Sequence, residues 1–217
     1  MIIDCHTHSF FSDGELLPSE LIRRCIINGY NVLAITDHAD TGNIKSLLSK
    51  TIPAIEHARK YTDMKIFAGV EITHVHPNNI ADCVKLARDS GASIVVVHGE
   101  TPVENVFEGT NEAAINAGCD ILAHPGRISE RLAALARDKN VLLEVSSRRG
   151  SCYSNGHIVK VARDAGTPLI LNSDAHAPAD ILTEYLYNEV ALGAGMTEKE
   201  IENMQVNLLK WVETIRF

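Results

Sequence analysis

The chain has 217 residues, of which 45% are hydrophobic and 22% are charged, and its formal net charge is −8. This composition excludes a disordered chain, and the negative charge argues against an extensive nucleic-acid interface. A chain of this length fits one domain, so we expect residues 1–217 to form a single domain, although the length also allows two small ones.

The sequence contains no apolar run of about 18 residues that could cross a bilayer, and it does not start with a basic segment followed by an apolar one. Its five cysteines are odd in number, widely spaced and without a CxxC pair, which is typical of proteins in a reducing compartment. We therefore expect a cytoplasmic protein without a signal peptide, a membrane partner or a disulfide framework.

Short apolar runs alternate with amphipathic stretches along the chain. The runs predict seven strands, and most are rich in Ile, Val or Leu without polar alternation, as buried parallel strands are. The predicted strands are residues 2–5, 32–36, 65–71, 94–98, 120–123, 141–145 and 169–172. The predicted helices are residues 18–29, 44–62, 78–90, 108–118, 128–138, 155–165 and 179–192, several ending at glycine.

A last helix is predicted over residues 197–214. Thr197 and Glu200 have the spacing of a capping box, and apolar residues follow at helical intervals. We expect this helix to cover the barrel or an interface. The repeated strand–helix order fits either a doubly wound open sheet or a closed barrel, so element order alone does not decide the topology.

Nearly every predicted strand ends in a residue that can bind a metal ion. In both parallel architectures ligand sites lie at the carboxyl ends of the strands. The residues at or just after these ends are His6, His8, Asp13, Asp37, His38, Glu71, His98, His124, Asp174 and His176. One such histidine could be an ordinary core residue, but six of the ten histidines stand at strand ends, which favours a metal site.

The spacing of His6 and His8 supports a shared ion. Side chains alternate along a strand, so two residues with one between them point to the same face. Asp174 and His176 repeat this spacing on the last strand. Imidazole and carboxylate ligands suit Zn, Mn or Fe, and the absence of cysteine at these positions argues against a zinc–thiolate site.

These motifs resemble the PHP family, the polymerase and histidinol phosphatase metallohydrolases. The resemblance covers residues 4–176 and implies a distorted seven-stranded (β/α) barrel, a TIM-like fold with a metal cluster at the carboxyl-terminal rim. It is carried by Asp4-Cys5-His6-Thr7-His8, Asp13-Gly14, Ile35-Thr36-Asp37-His38, Gly69-Val70-Glu71, His98, Ala123-His124-Pro125 and Ser173-Asp174-Ala175-His176.

The resemblance implies two or three divalent ions, and all nine of its ligand positions are filled here. A first ion would be held by His6, His8, Glu71 and Asp174, and Glu71 would bridge to a second ion held by His98 and His124. Asp13, His38 and His176 would hold a third. Among these, the catalytic residues would be Glu71, Asp174 and His176, together with Arg148.

Two ions about 3.5–4 Å apart can share a hydroxide and lower its pKa for attack on phosphorus. A guanidinium would neutralise the phosphate oxygens. Arg148 or Arg149 is expected to bind the phosphate, and at most one of them can face inward because they are adjacent. Arg127 is a second candidate, and for each arginine a plain surface role is as good an interpretation.

Other polar residues near strand ends have less certain roles. Asp4 and Asp37 could orient imidazoles or bond backbone amides, and Glu144 could orient an arginine or serve the structure alone. His74, His76 and His157 are interpreted as loop residues that could touch substrate, and His57 as part of a solvated helix face.

The implied function is a metal-dependent phosphoesterase that hydrolyses a small phosphate monoester resembling histidinol phosphate. A nucleotide or oligonucleotide phosphatase of the same family is the main alternative. An amidohydrolase-type barrel would bridge its metals through a lysine, where this chain has His98 and Glu71. A non-catalytic scaffold or RNA-associated subunit would predict lost ligands or a basic surface. The oligomeric state does not follow from the sequence.

Overall fold

The computed structural model describes residues 1–215, and this part of the chain contains eight strands and eight α-helices. The strands are β1 (Ile2–Asp4), β2 (Tyr30–Ile35), β3 (His38–Ala39), β4 (Lys65–Ile72), β5 (Ile94–His98), β6 (Ile121–Ala123), β7 (Leu142–Ser146) and β8 (Leu169–Asn172). The helices are α1 (Pro18–Ile27), α2 (Ile44–Ala58), α3 (Pro77–Asp89), α4 (Thr110–Ala117), α5 (Glu130–Asp138), α6 (Asn155–Ala165), α7 (Glu184–Gly193) and α8 (Glu198–Val212). Residues 216 and 217, which the single-domain prediction includes, lie outside the described residues.

The strands form a parallel sheet in the order β1-β2-β4-β5-β6-β7-β8, and the two-residue strand β3 pairs with β4. Just beyond β1 and β8 the sheet curls back on itself. Thr7 bridges to Ala175, the backbone N–H of His8 donates to Ala175 O at 2.9 Å, and that of Asp174 donates to His6 O at 2.9 Å. The fold is therefore a nearly closed seven-stranded TIM-like barrel, which confirms the expected distorted barrel.

The strands are buried on both faces, as their unbroken apolar runs predict. Val95, Val96 and Val97 of β5 and Ile121 and Leu122 of β6 are fully buried. Helices outside the barrel and side chains inside it cover the two faces. This packing holds the carboxyl ends of the strands at one rim.

The structure differs from the sequence-based elements by a few residues at several ends, and more clearly in three places. The helix expected over 44–62 ends at Ala58 and is followed by a 3-10 helix at Arg59–Tyr61. The helix expected over 179–192 begins at Glu184, because the Thr183 hydroxyl accepts the N–H of Leu186 at 3.2 Å and caps the helix there. The preceding Leu182 donates its N–H to the Tyr30 hydroxyl at 2.9 Å instead of entering the helix. Strand β3 was not predicted, because two residues are too few to show periodicity.

Helix α8 has the predicted capping box. The Thr197 hydroxyl accepts the N–H of Glu200 at 3.2 Å, and the Glu200 carboxylate accepts the N–H of Thr197 at 2.8 Å. Its buried side chains include Met204 and Leu208, which border a cleft with Leu142 and Leu169, the first residues of β7 and β8. The helix thus covers the barrel near the amino ends of these strands, away from the rim where the polar residues gather.

The capping box gives a stability prediction. Thr197→Ala removes the hydroxyl that accepts the N–H of Glu200, so we expect the free energy of unfolding to fall by about 1 kcal/mol, measured by urea denaturation. Lys199→Ala, in the same exposed turn, should change it by less than about 0.5 kcal/mol. Equal losses in the two variants would show that the cap does not stabilise α8.

Candidate metal centre

A cavity of about 530 Å³ opens at the carboxyl ends of the strands. Seven of the nine predicted ligands line it, and the other two, His6 and His8, are fully buried against Glu71 and Asp174. The seven are Asp13, His38, Glu71, His98, His124, Asp174 and His176. The structure therefore brings all nine residues together, although they span most of the chain.

Glu71, at the carboxyl end of β4, is the centre of the cluster. Its Oε1 lies 3.3 Å from Nε2 of His6 and 3.7 Å from Nε2 of His124. Its Oε2 lies 3.8 Å from Nε2 of His8 and 2.6 Å from Nδ1 of His38. One carboxylate thus stands between the histidines that the family pattern assigns to different ions.

Asp174, just after β8, faces the first pair of histidines. Its Oδ1 is 3.2 Å from Nε2 of His8 and 3.7 Å from Nε2 of His6, and its Oδ2 is 3.7 Å from Nε2 of His124. The rings of His6 and His8 lie 5.1 Å apart. Both imidazoles thus point to the same carboxylates, as the spacing of two predicted.

A second convergence lies on the outer side of the cavity. Oδ1 of Asp13 is 3.4 Å from Nε2 of His38 and 3.2 Å from Nε2 of His176, and the two nitrogens are 3.4 Å apart. His8 also offers a ligand atom to this group. The three residues assigned to a third ion therefore meet in space.

Three groups of ligand atoms lie close enough together to share an ion. The sets His6–His8–Glu71, Glu71–His98–His124 and His8–Asp13–His38–His176 each place one ligand atom per residue within 4.8 Å of the others. Among the described residues, Nε2 of His6, Nε2 of His8 and Oε1 of Glu71 are buried without a hydrogen-bond partner. Such orphaned atoms are costly to bury, and cations would satisfy them, so the residues fit divalent ions.

Burial and neighbouring charges shift the pKa values in opposite directions within the cluster. Burial lowers the pKa of His124 to about 4 and raises the pKa of Asp174 to about 8. For His6, burial lowers the pKa, but Glu144, Asp174 and Glu71 outweigh it and raise the pKa well above its ordinary value. Protons thus compete for the positions that divalent ions would take.

Glu144, in the middle of β7, is fully buried and forms hydrogen bonds with residues of the cluster. Its Oε1 accepts from Nδ1 of His6 at 2.8 Å and from Nδ2 of Asn172 at 2.7 Å, and its Oε2 accepts the N–H of His124 at 2.9 Å. The hypothesis that Glu144 orients an arginine is therefore wrong. It orients His6 and leaves Nε2 of that ring free for a cation.

Two ligand residues adopt strained backbone conformations. His124 has φ 28° and Asp174 has φ 53°, in the left-handed region that non-glycine residues rarely adopt. Each such residue costs about 1–3 kcal/mol and persists only where the surrounding structure enforces it. In this conformation both side chains line the cavity just after their strands.

The three candidate arginines lie in different environments. Arg148 lines the cavity, and its guanidinium donates to Asp174 O at 3.2 Å and approaches Nδ1 of His176 at 2.8 Å. Arg149, in the turn after β7, is exposed and outside the lining. Arg127 is exposed and borders a separate cleft beside Pro125. The predicted phosphate contact of each arginine stays a prediction.

Sequence reasoning missed two cavity residues whose side chains contact the side chains of predicted ligands, Thr73 and Glu104. The Thr73 hydroxyl lies 2.7 Å from Nδ1 of His38 and 3.1 Å from Oε2 of Glu71. Glu104 contacts both His74 and His98. Thr73 follows β4 by one residue and could have been found from that position, whereas Glu104 lies in a loop without a pattern.

The other polar residues have structural contacts. Asp37 accepts from the backbone and hydroxyl of Ser9 at 2.7 Å, and Asp4 accepts backbone N–H groups of His6 and Ser173. His157 contacts Ile128 O at 2.7 Å. The remaining two histidines lie at helical positions: His76 caps α3 and His57 is on α2.

The family model of the PHP domain matches residues 4–190. The chain belongs to this family.

Three relatives of the chain differ widely in their sequence identity to it. An uncharacterised protein of Methanocaldococcus jannaschii is 47% identical over 205 residues, which cover 94% of each chain. The DNA polymerase/3'-5' exonuclease PolX of Bacillus subtilis is 27% identical over 217 residues, covering 90% of this chain and 37% of PolX. A probable phosphatase of Thermoanaerobacter sp. is 25% identical over 240 residues, covering 97% of this chain and 93% of the relative.

Family membership agrees with the barrel and with the histidine and carboxylate groups at its rim. The match to the PHP model covers every one of the nine predicted ligand positions. Within residues 1–215 of this PHP domain, no helix combines the length and apolar character needed to cross a bilayer.

The buried network around Glu144 gives a second prediction. Glu144→Gln replaces one of the two accepting oxygens with an NH₂ group, which accepts no hydrogen bond, so either Nδ1 of His6 or the N–H of His124 loses its acceptor. We expect the free energy of unfolding of the metal-stripped protein to fall by about 1–3 kcal/mol in urea denaturation. The exposed Glu189→Gln on α7 is the matched control. If both variants unfold at the wild-type urea concentration, the network does not stabilise the barrel.

Proposed function

We propose that this PHP domain is a metal-dependent phosphomonoesterase that acts on a small phosphorylated molecule. The observation that carries the proposal is the set of unpartnered buried ligand atoms on His6, His8 and Glu71, beside a cavity whose wall includes Arg148. The similarity to a probable phosphatase over nearly the whole chain supports the same reaction class.

The nine residues at the rim would hold two or three divalent ions. His6, His8 and Glu71 would hold one together with Asp174, which faces both histidines. Glu71, His98 and His124 would hold a second, and Asp13, His38 and His176 a third. When bound, such ions supply a water of lowered pKa and a positive charge for the phosphate oxygens. Zn, Mn and Fe all suit imidazole and carboxylate ligands.

Arg148 would bind the phosphate oxygens that face away from the ions. Its side chain is 36% exposed, so the guanidinium can reach a ligand while Asp174 lies 3.6 Å from its Nε. A guanidinium presents several donors in a fixed plane, which suits a terminal phosphate with three oxygens. His176, next to Arg148 and to Asp13, would help to hold the third ion beside the phosphate, where the charge of that ion would offset the charge of the phosphate oxygens.

The cavity volume of about 530 Å³ fits a small ligand. Histidinol phosphate is the substrate that we would test first, and a nucleotide with a terminal phosphate is the main alternative. The complete set of nine ligands argues against a non-catalytic scaffold. No lysine lines the cavity formed by the described residues, which argues against a lysine-bridged amidohydrolase site.

The five cysteines are all free thiols, in keeping with a cytoplasmic protein.

The reaction is tested by phosphate release from histidinol phosphate and from a nucleotide panel with Mn- or Zn-loaded protein. Glu71→Gln should lower kcat/KM by about a hundredfold or more, because it removes the carboxylate that faces both ion positions. Glu56→Gln, on the exposed side of α2, should keep wild-type activity. Absence of phosphate release from every substrate by protein verified to hold its metals would disprove the phosphomonoesterase proposal.

The metal centre itself is tested by removing the ions. Because divalent ions would bind the folded state, their removal with a chelator should lower the unfolding temperature, and adding Mn or Zn should restore it. At a free ion concentration of 100 times Kd, the stabilisation is about 2.7 kcal/mol for one site. An unfolding temperature that does not depend on chelator or on added ions would contradict a metal centre at this rim.

A further inference from the structure

Glu104 is the one carboxylate of the cavity that lies outside the family ligand pattern and contacts a predicted ligand. It belongs to the segment between β5 and α4, and its Oε2 lies 3.2 Å from Nε2 of His98 and 3.0 Å from Nε2 of His74. The Glu104 side chain is 43% exposed and lines the cavity. None of its contacts is required to complete a secondary-structure element.

The contact with His98 involves the nitrogen that would bind an ion. Nδ1 of His98 faces the carbonyl oxygen of Gly99 at 3.1 Å, so this nitrogen donates its proton and Nε2 keeps its lone pair. Nε2 then meets an oxygen of Glu104, which is also an acceptor. Two acceptors at 3.2 Å attract each other only with a cation or a proton between them.

The residues around His98 form two overlapping sets. Glu71, His98 and His124 place their ligand atoms within 4.8 Å of one another, and so do His74, His98 and Glu104. His98 belongs to both sets, and because its Nδ1 donates to Gly99, only Nε2 can bind an ion, so we expect both sets to converge on the same ion. An ion held by Glu71, His98 and His124 would have room for Glu104, since zinc takes four ligands and sometimes five.

The local backbone supports this position of Glu104. His74 has φ 53°, a strained value, and this conformation brings its ring centroid to 4.8 Å from that of His98. Val103, the residue before Glu104, lies so close to Gly150 that a Cβ on Gly150 would be 3.1 Å from its methyl groups. The segment is therefore packed against the turn that follows β7, near Arg148.

We propose that Glu104 is an additional protein ligand of the ion that Glu71, His98 and His124 hold, and that His74 fixes the Glu104 carboxylate in place. This inference rests on the proposed metal centre. The segment between β5 and α4 would then contribute to metal affinity in addition to the nine residues of the family pattern.

The test compares cobalt binding by wild-type protein, Glu104→Gln and Glu108→Gln, all stripped of metal first. Glu108 is exposed, lies in the same segment and is absent from the cavity lining, so its variant is a matched control for the lost charge. Bound cobalt is counted by elemental analysis, affinity is measured by competition with a chelator, and coordination is followed by visible absorption.

If Glu104 is a ligand, Glu104→Gln should bind one cobalt ion at least about tenfold more weakly, with a changed visible spectrum, while Glu108→Gln matches the wild type. If Glu104 only forms an ion pair with His98, it competes with the ion, and Glu104→Gln should bind cobalt as well as or better than wild type. That result would overturn the inference while leaving the metal centre intact. Wild-type protein that takes up no cobalt would overturn the proposed metal centre as well.

Discussion

Unpartnered lone pairs buried at one rim of the barrel are the constraint on which the rest of the site depends. Parallel strands all present their carboxyl ends to the same side, so residues that follow the strands are forced into one place. At this rim, His6, His8 and Glu71 have buried side-chain atoms that form no hydrogen bond with the described residues. An arrangement of acceptors around acceptors is stable only when cations or protons lie between them.

The same side chains that orient the ligands also close the barrel. Backbone pairing between β1 and β8 is sparse, and side chains reinforce this seam. Asn172 accepts the N–H of Cys5 at 2.8 Å and donates to Glu144, and Asp4 accepts the N–H of Ser173. Because Glu144 also holds His6, the network that sets the orientation of the first ligand joins β1, β7 and β8. Changes in metal binding and in barrel stability should therefore accompany each other.

Most of the fold followed from the sequence because its signals are local and repeated. Apolar runs marked the seven strands of the barrel, and predicting the ligands at their ends needed only strand periodicity and the rule that parallel strands share a rim. Glu144 was misjudged because its partner depends on which strands become neighbours when the barrel closes. Arg148 could not be separated from Arg149 by pattern, since the direction of each side chain is fixed by the turn after β7. Glu104 lies in a segment without periodicity, so only its three-dimensional contact with His98 reveals it.

The charge of the cavity sets a condition on any anionic substrate. Asp13, Asp40, Glu71, Glu104 and Asp174 line it, and Arg148 is the one arginine among its described lining residues. A single guanidinium already paired with Asp174 cannot offset the repulsion between these carboxylates and a phosphate. Divalent ions would invert the sign of the local charge, because each carries two positive charges at the position of the orphaned acceptors. Binding of a phosphate and binding of the metal ions should thus be linked. The acidic cavity would bind an anion only after its carboxylates have bound cations.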